Sequence, residues 1–347
     1  MRWGLLLLVV SGCASVHAAL DVQAIEAKAV LAQRSSSVSA RPWPFTTAEE
    51  LELKTRPGVA PTVETLPIGV RALDRPELIQ EQLAFRSRVT LRHSESNHAR
   101  LYVYRHGRLG DRPVQLWVPG LYVSDLALTL LRPLLLDALA QGTDVAFFVP
   151  PYHLERTPQG MGSGDAVLAT DLADHLGVIE QGVADLRDAV GVLRRAGVTR
   201  LGVFAGSMGA NFALQVARFD GTRERPAFEF MTAMIPLIDW GALLLERPEF
   251  AQVRAQLVSK GVSLEALAAL YETLDPSRVG ASMHPMTISV LAARYDQVTP
   301  AAPRERWQHT WGLSRVHLID RGHATMLLSD ELVTAAHAFL AEDLARR

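Results

Sequence analysis

Three polar side chains, far apart along the chain, have the types and order that nucleophilic catalysis requires: Ser207, Asp296 and His323. A serine hydroxyl is a weak nucleophile at neutral pH. It needs a neighbouring base, itself oriented by an acid. Ser207 lies in Ala205-Gly-Ser-Met-Gly209, between the apolar run Leu201–Ala205 and the small, apolar stretch Ala210–Ala217. A strand passing through a strained turn into a buried helix would lift its hydroxyl above the end of a parallel sheet. Such a turn has no room for a side chain two residues before or after the serine, and Ala205 and Gly209 are small there. The usual pattern carries glycine at both places; alanine replaces the first. A serine that merely caps a helix would leave the same local pattern, so the rest of the chain must decide.

The two partners should each stand just past the C-terminal end of a strand, where loops build ligand sites in open α/β sheets. Asp296 follows the expected strand Thr287–Leu291, and His323 follows Arg315–Ile319. Asp239, after an expected strand at Phe228–Leu237, is a reserve acid. Upstream, Pro113–Val118 and Asp144–Val149 read as strands, with a helix over Leu126–Ala140. Leu172, Leu176, Ile179, Val183, Leu186, Val190 and Leu193 share one helical face. Val89–Leu91 and Leu101–Tyr104 flank a polar turn and read as a hairpin. Residues 239–280 read as a helical cap, followed by helices near Pro303–Thr310 and Thr325–Leu344. A hairpin followed by repeated strand–helix units predicts an α/β fold: a mostly parallel sheet with helices on both faces.

The Ala205–Gly209 turn, Asp296-x-Val298-x-Pro300 and Gly322-His323, in that order, make residues 88–347 resemble the α/β-hydrolase superfamily. The resemblance implies that Ser207 attacks a carbonyl, His323 shuttles the proton and Asp296 fixes the imidazole tautomer. It also implies an oxyanion hole from the backbone N–H groups of Met208 and Leu121, with Gly120, Gly206 and Gly209 permitting close backbone approach. Pro119 stands where that family carries histidine. A narrower likeness joins Pro150–Pro158, the long helix and the Ser-Met-Gly turn to the abhydrolase-domain-containing branch numbered eighteen, which implies no substrate. Tyr152, His153 and Arg156 either line the pocket or brace the loop after their strand.

Composition bounds the partners. The 347 residues are 48% apolar and 21% charged, with net charge −2 and no long basic run, which leaves no electrostatic footprint for nucleic acid. His106, His284, His309, His317 and His337 are scattered without ligand spacing, so no metal is expected. Gly160–Gly164 lacks a phosphate-loop lysine, so no cofactor is expected either; it reads as a flexible loop near the site entrance. At the start, Met1–Gly4 and the apolar run Leu5–Val10 read as a secretion signal too short to span a bilayer. Val10-Ser-Gly-Cys13 contains the single cysteine and resembles a bacterial lipobox, which would anchor the chain to a membrane surface through lipid on Cys13. Cleavage after Val16-His17-Ala18 is the alternative. Residues 1–18 are thus expected to be the signal. Residues 19–87 form a proline-interrupted arm with a short helix over Asp21–Ala32, anchored by Trp43, Phe45, Leu66 and Ile68.

The combined expectation is an exported serine hydrolase of the periplasm or cell envelope, acting on small or lipid-like carboxylic esters through an acyl-enzyme. The apolar cap segments Leu243–Leu245 and Leu264–Leu270 favour an apolar substrate. Two alternatives stand beside it: a catalytically silent envelope scaffold, and an acyltransferase using the same triad.

Overall fold

The computed structural model describes residues 14–35, 41–121, 123–168, 171–222 and 224–346; Leu5–Val10 and Cys13 lie outside them. Its strands are β1 (Val63–Pro67), β2 (Ile79–Arg86), β3 (His98–Arg105), β4 (Val114–Val118), β5 (Asp144–Val149), β6 (Leu201–Gly206), β7 (Phe230–Met234), β8 (Ile288–Ala293) and β9 (Arg315–Ile319). They form one sheet in the order β1-β2-β3-β5-β4-β6-β7-β8-β9. Pairing is antiparallel from β1 to β5 and parallel from β5 to β9.

Side chains alternate between the two faces, as the pleat requires. Leu116, Val118, Ala146, Phe148, Val203 and Ala205 face one core layer, under the helices Leu172–Arg195 and Ser207–Asp220. Trp117, Val145, Phe147 and Phe204 face the other, under Asp125–Ala140 and Asp330–Ala345. The chain leaves β4 toward β5 and leaves β6 toward β7. The carboxyl ends of β4 and β6 therefore flank a topological switch point, the usual ligand crevice of such sheets.

The antiparallel end departs from expectation. The strand expected at Val89–Leu91 is a loop, and β3 pairs instead with β2, Leu83 opposite Leu101. The reason is competition for backbone groups. The Asn97 Oδ1 accepts the Leu91 N–H (2.8 Å), and Gln181 donates to the Val89 carbonyl (2.7 Å), so neither is left for a neighbouring strand. The sheet consequently begins inside the segment expected to be an arm, with β1 and β2 both ahead of residue 88.

The N-terminus departs further. Ala14–Ser35 is one helix of 22 residues rather than a short one. Its buried positions 17, 21, 25, 29 and 32 form one stripe at helical spacing. The leader boundary expected at residue 18 therefore falls inside a packed element. Residues 41–55 then cross the helix Leu172–Arg195, so that helix is buried on its outer side as well as against the sheet. Arg187 shows the consequence: it donates to the Glu52 carbonyl (2.9 Å) and the Thr55 hydroxyl (2.8 Å) and pairs with Asp220.

Arg156 braces the loop after β5 rather than lining the site. It is fully buried, donates to the Val149 carbonyl (2.9 Å) and pairs with Asp185 at 2.6 Å. Between β7 and β8 the chain is mainly helical, through Ala242–Glu246, Ala251–Ser259 and Leu264–Thr273.

Candidate active site

Ser207 is placed by the end of β6 and the start of its helix. Its φ is +47°, a left-handed value that serine rarely adopts and that the surrounding packing must enforce. Gly209 shows how tight that packing is: a Cβ there would lie 2.1 Å from the Val118 carbonyl oxygen and 2.4 Å from that of Pro119. Ala205, two residues before the serine, is wholly buried.

The hydrogen bonds run in one direction from the hydroxyl. Ser207 Oγ lies 3.1 Å from His323 Nε2, and His323 Nδ1 lies 2.9 Å from Asp296 Oδ2. An ionised carboxylate only accepts, so Nδ1 carries the proton and Nε2 is left free to receive one. Asp296 is itself held: Oδ1 accepts the N–H groups of Val298 (2.8 Å) and Thr299 (2.7 Å), and Oδ2 accepts the Thr299 hydroxyl (2.7 Å). Asp239 is elsewhere. It caps the turn at Ala242 and pairs with Arg306 at 3.2 Å.

Burial acts against a charged imidazole and would push the His323 pKa down. The Asp296 carboxylate, by charge and hydrogen bond, outweighs it with help from the Asp21 charge, and the pKa is raised. His153 and His175 show the contrast. Burial is the dominant influence on both and pushes each down to about 4. Among the described residues, no three His, Cys, Asp or Glu side chains converge as a metal-ligand group.

The sites expected for oxyanion donors flank the serine. Gly120, past the end of β4, runs so close that a Cβ there would sit 2.7 Å from the Ser207 Cβ. Leu121 follows it. Met208 is the second residue of a helix whose N-cap, Gly206, supplies no side-chain acceptor. The first N–H groups of a helix have no partner within it, so this end is suited to a developing negative charge.

No protein-family model matches the sequence, and no curated protein matches it. Solved structures do. Acetyl xylan esterase 1 from Thermoanaerobacterium sp. JW/SL YS485 superposes with a TM-score of 0.58 at 13% identity, covering 90% of this chain and 98% of that one. An acetyl xylan esterase from Paenibacillus sp. R4 gives 0.53 at 15% identity, covering 85% and 93%. The chain has the α/β-hydrolase fold.

Within this fold, the crevice holds a cavity of about 360 Å³ beside Ser207 and His323. Trp117, Leu131, Phe147, Phe204 and Met234 make one wall apolar. On the other side of the serine a smaller lobe of about 120 Å³ is lined by Leu237, Trp240, Leu243 and Phe250. Ala24, Lys28 and Leu121 border both lobes. The N-terminal helix therefore forms part of the rim, which sequence reasoning missed: no local pattern ties residues 21–28 to a site three hundred residues away. Thr299 was also missed, although it lies inside the Asp296–Pro300 motif.

Proposed function

We propose that this protein is an exported serine hydrolase that cleaves carboxylic esters carrying an apolar group, through an acyl-enzyme. The observation that carries the reading is the chain Ser207 Oγ, His323 Nε2, His323 Nδ1, Asp296 Oδ2, at 3.1 Å and 2.9 Å. In the first half-reaction, His323 Nε2 takes the hydroxyl proton as Ser207 Oγ bonds to the ester carbonyl carbon. Asp296 keeps the proton on Nδ1 and stabilises the imidazolium. The carbonyl oxygen becomes negative and is met by the N–H groups of Met208 and Leu121. His323 then returns the proton to the departing alcohol. Water, deprotonated by the same nitrogen, releases the acid and restores the serine.

The apolar lobes on both sides of the serine support an ester that is apolar beyond its carboxyl group, and the larger lobe is of ordinary size for a small-molecule site. The smaller lobe would equally hold an acceptor alcohol, so acyl transfer uses the same residues and is read by adding alcohol to the assay.

Export and anchoring belong to the same proposal. His17 is buried, stacks on Tyr295 and bonds the Thr325 hydroxyl at 2.9 Å. Cleavage after Ala18 would strip it away, which supports processing at Cys13. Ala24 borders the cavity and lies only ~15 Å along the helix from Ala14. A lipid on Cys13 would then hold the mouth near a membrane surface.

The test is labelling with a fluorophosphonate, followed by turnover of p-nitrophenyl esters of graded chain length. The wild-type chain labels and turns over; Ser207→Ala does neither. A wild-type chain inert to both would leave the fold as a scaffold.

A further inference from the structure

Asp21, on the N-terminal helix, touches neither the serine nor the histidine ring, yet its carboxylate reaches both loops that carry the serine's partners. Oδ2 accepts the N–H of Gln297 at 3.0 Å, the residue directly after Asp296, and the N–H of His323 itself at 2.8 Å. Oδ1 accepts the N–H of Ala324 at 2.8 Å. The side chain is fully buried, so these bonds are made away from competing water.

We propose that Asp21 is a positioning residue for catalysis: one carboxylate ties the acid loop to the histidine loop and so sets the distance between Asp296 and the imidazole. The proposal rests on the serine hydrolase reading of Ser207, His323 and Asp296. The two loops follow neighbouring strands, β8 and β9, and within the hydrolase body they meet through the Tyr295 N–H to the Arg321 carbonyl (3.0 Å), the Asp296–His323 bond and the Thr299 hydroxyl, 3.3 Å from Nδ1. Asp21 adds a clamp farther along both loops, on the N–H groups of Gln297, His323 and Ala324, which that backbone bond does not reach.

A second observation points the same way. Gly322 precedes the histidine, and a Cβ there would lie 2.9 Å from both Asp21 oxygens and 2.9 Å from the His17 carbonyl oxygen. Glycine at 322 is what lets the helix come this close. The contact is also cross-braced, because the Thr325 hydroxyl accepts the Gly322 N–H (3.0 Å) and bonds His17 (2.9 Å).

The charges around this junction are few. Asp296 and Asp21 face His323 from two elements, Arg321, Asp320 and Asp21 act on His17, and Lys28 stands at the rim. Removing the Asp21 charge takes away one influence that favours imidazolium, so the acidic limb of the activity profile moves to lower pH. A merely structural residue would lower activity without moving that limb.

The experiment uses the full chain, with active sites titrated by fluorophosphonate and p-nitrophenyl butyrate hydrolysis followed from pH 5 to 9. In Asp21→Asn, kcat per titrated site falls by about 10- to 100-fold, the scale of a reacting geometry displaced by an ångström or less. KM changes little, and the acidic limb shifts down. An Asp21→Asn enzyme with wild-type kcat and limb overturns the proposal, as does a kcat loss with an unmoved limb. Asp21→Glu covers a poorly folded Asn variant. It keeps the charge but displaces the loops, so kcat per site falls several-fold with the limb in place; an unchanged kcat there also overturns the proposal. A wild-type chain that neither labels nor turns over defeats the hydrolase reading itself, a result distinct from a competent wild type whose Asp21 variants match it.

Discussion

The turn at Ser207 and the helix at Asp21 both end beside the same histidine, but they are built in opposite ways. The turn is local. Five consecutive residues, a +47° φ at Ser207 and two flanking elements define it, and its small residues are forced by backbone only 2.1 Å from where a Cβ would go. The N-terminal helix has no such signature. Its burial stripe holds His17 and Asp21 among alanines and an isoleucine, and these two bond loops near residues 297 and 323–325. Sequence-local geometry places the proposed nucleophile, and a long-range contact braces the loops of its partners.

Changes at the two regions should therefore differ in kind. The largest expected effect lies within the triad: Asp296→Asn leaves the shape intact but lets the imidazole take the wrong tautomer, and kcat falls by roughly 10⁴-fold in ester turnover. The same single methyl, added at each region, gives the next contrast. In Gly209→Ala the new Cβ meets two backbone carbonyls, which cannot swing aside, so thermal unfolding should show a loss of about 3 kcal/mol or more. In Gly322→Ala it meets the Asp21 carboxylate and the His17 carbonyl at 2.9 Å; the carboxylate can turn aside and the overlap is smaller than at Gly209. There thermal unfolding should show a smaller loss than in Gly209→Ala, while kcat drops by about 10-fold as the loops lose their tie. Equal unfolding in both variants would erase the distinction.

The smallest expected effect is in pH. The His323 pKa is raised, and its neutral form is the base in the proposed mechanism, so kcat/KM should fall as pH drops through a value above the ordinary histidine pKa of about 6.5. A limb below that value would mean that burial outweighs the two carboxylates.

The site was unevenly legible for the same reason. Ser207, Asp296 and His323 could be named because each sits in a short motif at the end of its own strand, and strand ends can be read from apolar runs of four to six residues. Asp239 was reasonable as a reserve on that logic, yet its carboxylate is taken by Arg306 and the Ala242 N–H. The hairpin at Val89–Leu91 failed because Asn97 and Gln181 claim its backbone groups, a competition invisible without knowing that the long helix passes there. β2 was missed because Ile79-Gln-Glu-Gln has little of the β-branched, alternating character that marks a strand.

By itself, the sequence determined the parallel half of the sheet, the turn that raises Ser207 and the order in which its partners follow. These depend on periodicity and on steric limits within a few residues, which a linear reading contains. Only the tertiary structure decided where the sheet begins, which face the first helix presents and that Asp21 meets the loops of Asp296 and His323. Those outcomes depend on which buried polar group finds which partner across nearly the whole chain. An aspartate in a helix carries no mark of the N–H groups it will accept until the fold has brought them within 3 Å.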